Sequence, residues 1–204
     1  LIAQVRADVQ AAVVVFTYAN PIFRMGTDAF SARAAAAGVD GVLVLDLPIE
    51  EAGPFRQTVV DAGIDPIFLL SPTTTDARIR TAAELGRGVL YGISRLGVTG
   101  ARAEVALGAR ALVERIRAVT ALPVAIGFGL SRPEHVRQVG KWADAAVVGS
   151  ALVDVIARDG FTVDARVNII IEGETPVTMA KSTGLGLLEL PTLFELLQPD
   201  VVVS

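Results

Sequence analysis

The sequence predicts an α/β chain: six recognisable βα units of an incomplete (β/α)8 TIM-type barrel, followed by a tail of different character. Three observations carry this. Short aliphatic runs alternate with helical stretches, one unit every roughly 25–30 residues, which implies right-handed crossovers and a parallel sheet. Three segments place glycines where a strand should end: Tyr91–Gly100 (YGISRLGVTG), Gly127–Ser131 (GFGLS) and Val147–Ser150 (VVGS). A closed barrel of this type takes eight units in about 250 residues. Six are legible here, so the barrel is expected to be two units short.

Ala11–Thr17 (AAVVVFT) is a β-branched run, closed by an expected turn at Tyr18–Pro21. Asp28–Ala37 reads as a helix stopped by Gly38, and Gly41–Asp46 (GVLVLD) as the second strand. Glu50–Ala62 is an amphipathic helix stopped by Gly63. Pro66–Leu70 is the third strand, with Thr75 or Asp76 capping the helix that follows. Gly88–Ile93 is the fourth strand, Ala106–Val119 its helix, and Pro123–Gly127 the fifth strand. Ser131–Val139 carries the Ser-x-x-Glu pattern of a capping box at Ser131 and Glu134. Ala145–Val148 is the sixth strand, and Ala151–Ala157 a short helix.

Composition narrows the function. With 52% hydrophobic and 20% charged residues the chain buries a large core. A net charge of -4 disfavours nucleic acid, because no basic face offsets phosphate repulsion. There is no cysteine and one histidine, so no disulfide framework, thiolate chemistry, metal site or cofactor is expected. Gln4, Arg6, Asp8 and Gln10 punctuate Leu1–Val15 at helical intervals, which excludes a signal peptide or membrane span there. Lacking an initiator Met and opening as if within a helix, the sequence reads as a fragment of a cytoplasmic protein.

Glycines at the C-terminal ends of parallel strands, followed by helices, suit phosphate: backbone N–H groups and helix dipoles converge there. The plainer alternative is that they only permit tight turns. Tyr91 lies within a strand ahead of the longest glycine loop, either as a site residue or as a core aromatic. Asp46 closes an apolar strand, so it must be paired or face the site. Arg95 reads as a solvated loop cation or a substrate neighbour, and His135, beside the capping box, as structural.

These residues also carry a family resemblance. The stretches FTYANPIF (16–23), GVDGVLVLDLPIEE (38–51), SPTTTD (71–76), GISRLGVTGAR (92–102), PVAIGFGLSRPEHV (123–136) and VVGSALV (147–153) resemble the α chain of tryptophan synthase. The resemblance implies a (β/α)8 barrel that cleaves indole-3-glycerol phosphate to indole and glyceraldehyde-3-phosphate by a retro-aldol reaction, alongside a β subunit. It also implies that the two acid–base carboxylates lie near the ends of the first two barrel strands, which have no counterpart here. By position Tyr91 matches the active-site tyrosine, Thr99 the threonine of the closing loop, and Asp46 the aspartate that couples site and loop. Gly100, Gly129, Gly149 and Ser150 match the phosphate cradle, and Tyr18 and Arg95 side chains near the pocket.

The tail changes character. Arg166–Ile171 is strand-like, Glu172–Thr183 a polar loop and Leu185–Leu197 helix-like. Residues 159–204, with MAKSTGLG and PDVVV, resemble a UDP-N-acetylglucosamine 2-epimerase. The expected division is 1–157, a partial synthase-type barrel, and 158–204, a foreign α/β tail. Glu172 and Glu174 would reach the catalytic face only if the tail supplied barrel strands; otherwise they are solvated. Lys181 and Ser182 would contact a nucleotide-sugar only in a complete epimerase. Three functions therefore stay open: a lyase disabled by its absent carboxylates, a non-catalytic remnant that binds phosphate or the β subunit, and an epimerase fragment.

Overall fold

In a computed structural model, residues 2, 3, 6, 11–93 and 102–149 are described, with side chains in the last segment from Gly108 onward. Arg95, Thr99, Gly100, Ser150, the expected helix Ala151–Ala157 and the whole tail lie outside the described residues. Every strand pairing is parallel. In chain order the elements are β1 (Val14–Thr17), α1 (Ala19–Met25), α2 (Thr27–Ala36), β2 (Gly41–Val44), α3 (Gly53–Asp61), β3 (Asp65–Ile67) and β4 (Leu69–Leu70). There follow α4 (Asp76–Leu85), β5 (Leu90–Ile93), α5 (Arg102–Arg117), β6 (Val124–Gly127), α6 (Pro133–Val139) and β7 (Ala145–Ala146).

The expected third strand is split at Phe68, giving neighbours β1-β2-β3 and β4-β5-β6-β7. Two bonds carry the sheet across the break: the Arg87 and Tyr91 N–H groups donate to the Pro66 and Phe68 carbonyls, each at 3.0 Å. Residues 65–70 thus act as one stave, and the described sheet is an arc of six.

Side-chain alternation along each strand assigns its two faces. Val14, Phe16, Leu43, Ile67, Leu69, Tyr91, Ala125, Ala145 and Val147 form one cluster on the inner face of the arc. The intervening residues face the helices. Val42, Val44 and Val15 pack with Phe55 and Val59 of α3. Leu70, Leu90, Val124 and Ile126 pack with Ile79, Leu112 and Ile116 of α4 and α5. Both faces of the sheet are therefore apolar, as parallel strands covered by helices require.

Two local expectations are corrected. Tyr18–Pro21 is not a turn between strand and loop: Tyr18, extended at φ -101°, ψ 161°, is the N-cap of α1. Pro21 falls in the first helical turn, where its missing N–H costs no intrahelical bond. The Ser131–Glu134 capping box does not form, because Pro133 opens α6 one residue later than that box requires and Arg132 becomes the N-cap, with no side-chain bond. The cap at Thr75 does form, its hydroxyl accepting the Arg78 N–H at 3.4 Å.

Aspartates fasten the strand starts. Asp40, just before β2, accepts the Val13 N–H at 2.7 Å, and its other oxygen meets Arg6 at 3.3 Å. Asp144, just before β7, accepts the Val124 N–H at 2.8 Å and meets Arg117 at 2.9 Å. Each carboxylate satisfies an amide that begins the neighbouring stave. Asp65, at the start of β3, is different: burial pushes its carboxyl above the ordinary range, with Arg87 opposing and Asp40 adding to the rise. Asp40 and Asp65 also rim a small hollow with Val14, Ile67 and Val89, at the N-terminal end of the staves.

Asp144 and Asp65 have opposite expected effects on stability. Asp144→Ala leaves the Val124 amide without its charged acceptor and is expected to cost about 1.5–3 kcal/mol, the half-exposed Arg117 pair adding little. Asp65→Asn is expected to raise stability at neutral pH. A folded-state carboxyl pKa above the unfolded value means that the native state holds the proton more tightly, so stability falls as pH rises through that window. The gain should vanish below the ordinary carboxylate range. Urea denaturation of both variants between about pH 3 and 8 checks the two signs.

Candidate active site

The C-terminal ends of the staves gather the sequence-predicted site residues that are described. Tyr18 directly follows β1, Asp46 lies two residues past β2, Gly129 two past β6 and Gly149 three past β7. Tyr91 lies within β5, facing inward. In a parallel sheet these positions share one end, opposite the Asp40–Asp65 hollow.

Tyr91 is the centre of this end. It is 5% exposed, with its ring 5.2 Å from Phe16 and 6.0 Å from Phe128, both edge-on at 70° and 85°. T-shaped contacts of this kind set the positive ring edge against the negative face. Burial pushes the phenol above the ordinary tyrosine value of about 10.

The ring has room because Gly127 has no side chain. A Cβ there would lie 2.6 Å from Tyr91 Cζ, and closer still to the hydroxyl oxygen. The inner face is graded accordingly: Phe16, Leu43, Ile67 and Leu69 are bulky, whereas Ala125, Gly127 and Ala145 on β6 and β7 are small. Gly127 was legible only as a strand-ending glycine, and its steric role depends on the β5–β6 register that sets Tyr91 beside Ala125. Phe16 and Phe128, which wall the tyrosine, were not singled out. Their only sequence signal was position, one on the inward phase of β1 and the other between two glycines.

Asp46 is paired rather than buried. It is exposed, and its Oδ1 accepts the Ala19 N–H at 2.6 Å, the first helical amide of α1. The carboxylate joins the end of β2 to the helix after β1, and a negative charge at that helix start is favourable. Tyr18 is 59% exposed, alongside exposed Phe23 and Met25 on α1.

The β6–α6 loop carries one half of the expected anion cradle that is described. Phe128 (φ 69°) and Gly129 (φ 84°) are both left-handed, an uncommon conformation for phenylalanine. Leu130 is buried, and the Ser131 N–H donates to His135 Nδ1 at 3.2 Å. After β4, Arg115 of α5 clamps the next loop, donating to the Pro72 carbonyl at 3.2 Å and meeting the Asp76 carboxylate at 2.6 Å. Among the described residues no cluster of three metal-ligating side chains is present, and no helix is long and apolar enough to cross a membrane.

The geometry can be set beside known proteins. A family-wide sequence profile, tryptophan synthase alpha chain, matches residues 1–180. The chain belongs to the tryptophan synthase alpha chain family. The alpha chain of Methanoregula boonei is 48% identical over 160 residues, covering 78% of this chain and 60% of that protein. That of Methylococcus capsulatus is 48% identical over 152 residues, covering 74% and 57%. The chain thus spans about 60% of the length of these curated relatives. Among solved structures, one from the tryptophan synthase α2β2 complex of Pyrococcus furiosus is 39% identical, with TM-score 0.72, covering 78% of this chain and 64% of that one. A structure from Aquifex aeolicus is 31% identical with TM-score 0.73, covering 83% and 63%. Tryptophan synthase alpha chain relatives at these identities agree with a parallel barrel-type α/β fold.

Two measurements probe the packing of the Tyr91 ring over Gly127 in this family member. Gly127→Ala is expected to expel the Tyr91 ring, so that its phenol ionises at lower pH in a spectrophotometric titration. The second follows from the sign of the pKa shift. Because Tyr91 holds its proton more tightly when folded, stability should fall as pH rises above about 10, and Tyr91→Phe should flatten that slope in denaturant titrations.

Proposed function

We propose that this chain carries the phosphate-binding and indole-facing part of a tryptophan synthase α-type lyase site, which cleaves indole-3-glycerol phosphate to indole and glyceraldehyde-3-phosphate. The buried Tyr91, walled by Phe16 and Phe128 beside the Gly129 loop, is the observation that supports this reading. Edge-on aromatics at this end of the staves suit a flat indole ring, and glycine loops at the strand ends suit its phosphate. In this reading Tyr91 touches the indole. Gly129, with Gly100, Gly149 and Ser150, holds the phosphate. Thr99 closes over the site, while Tyr18 and Arg95 line its approach. Asp46 couples the site to a β subunit. No cofactor is called for by this chemistry, since proton transfers suffice.

The retro-aldol step needs a general acid and a general base, each worth about 10²–10⁴-fold. By the resemblance those carboxylates belong to barrel strands without counterpart in residues 1–204. A polypeptide of residues 1–204 alone is therefore expected to bind a non-cleavable indole-alkyl phosphate but to release no measurable indole. At about 100 times its dissociation constant the ligand should add about 2.7 kcal/mol to stability, read as an upward shift of a cooperative thermal transition. Substantial indole release by that polypeptide, or a transition indifferent to the ligand, overturns this reading.

A second, non-catalytic role is supported by the exposed face of α1. Tyr18, Phe23 and Met25 are 59%, 54% and 43% exposed, and Asp46 anchors that helix. We assign docking of a β subunit to the Asn20–Phe23 and Asp46–Pro48 segments. Asp46→Ala should weaken co-elution with a β subunit, and should cost about 0.5–2 kcal/mol of stability through the lost helix-start contact. The tail, 158–204, is proposed as a segment of 2-epimerase type, although residues 158–180 also fall within the match to the tryptophan synthase alpha chain profile.

A further inference from the structure

Resting on the phosphate reading of the strand ends, the inference concerns how the β6–α6 loop is held. We propose that His135, the single histidine of the chain, is a positioning residue for the phosphate-binding backbone at Gly129. The loop leaves β6 through two consecutive left-handed residues, Phe128 at φ 69° and Gly129 at φ 84°. A phenylalanine persists in that conformation only when its surroundings over-determine it.

Two restraints come from the core. The Phe128 ring stands against Tyr91 at 6.0 Å, and the Leu130 side chain is 8% exposed within the larger helix–sheet cluster. The third restraint is His135, whose Nδ1 accepts the Ser131 N–H at 3.2 Å. It fixes the peptide plane at the exit of the turn, so that the backbone of Gly129 is held from both sides.

The chemistry of the bond is specific. An imidazole nitrogen accepts only when unprotonated, so this bond requires Nδ1 to be without a proton. His135 is the third residue of α6 after the Arg132 N-cap. That is the position from which a Glu or Gln side chain reaches back to a backbone amide in a capping box. Here the acceptor reaches one residue further back, because Pro133 sets the helix start. The helix has seven residues and is not itself invoked as an anion site. The loop ahead of it is, for a phosphate monoester or inorganic phosphate.

The test uses the whole chain with His135→Ala and His135→Gln, at one fixed, mildly alkaline pH. Amide hydrogen exchange at Ser131 and Gly129 is measured first, and inorganic phosphate is then titrated. His135→Ala should speed Ser131 exchange and weaken phosphate binding about fivefold, the scale of one hydrogen bond. His135→Gln, which restores an acceptor, should recover both. Unchanged phosphate binding in His135→Ala, or failure of Gln to rescue, overturns the role of His135 alone. If the unsubstituted chain binds no phosphate, the phosphate reading falls and this inference with it.

Discussion

Much of this structure depends on the tyrosine ring that lies over a residue with no side chain. Tyr91 projects from β5 onto β6, and Gly127 is the position where any Cβ would displace it. The contact sets the size gradient of the inner face, with large side chains on β1 to β5 and small ones on β6 and β7. It also determines where Phe128 can stand, and so how the loop with Gly129 begins. One missing methyl group thus joins packing inside the arc to the geometry of its mouth.

The two ends of the staves have separate duties. At the N-terminal end, Asp40 and Asp144 each accept a neighbouring amide and pair with an arginine. These are fastenings, whereas Asp65, half-buried there with its carboxyl raised by desolvation, costs stability rather than adding to it. At the C-terminal end the same residue type acts differently. Asp46 is exposed and holds the start of α1, which presents Tyr18, Phe23 and Met25 to solvent. Three aspartates at strand ends thus share one kind of bond, and their position decides whether it serves the scaffold or the site.

Much of the architecture was legible because parallel strands buried on both faces must be aliphatic runs. GVLV, LYGI and VAIG announce themselves, as do the glycine stops at Gly38 and Gly63. The helix at Ala19–Met25 was hidden, because Asn-Pro reads as a turn unless the proline is known to fall in a first helical turn. The break at Phe68 was hidden as well: no residue there disfavours a strand, and the split reflects a change of pairing partner between β2 and β5. The capping box at Ser131 failed for the opposite reason. Its local pattern was complete, but Pro133 fixed a different helix start.

By itself, then, the sequence determined the alternation of strands and helices, the end of the sheet at which glycines collect, and a family resemblance that residues 1–180 bear out. Those properties are local or periodic, and periodicity survives without coordinates. Only the tertiary structure decided that Gly127 yields its space to Tyr91, that Phe16 and Phe128 wall the ring, and that Asp46 grips the amide of Ala19. Each of these joins residues on different staves, 27 to 75 positions apart for Asp46 with Ala19 and Phe16 with Tyr91. Such contacts arise from strand register and from the curvature that brings distant staves and their loops together, which a chain acquires only by folding.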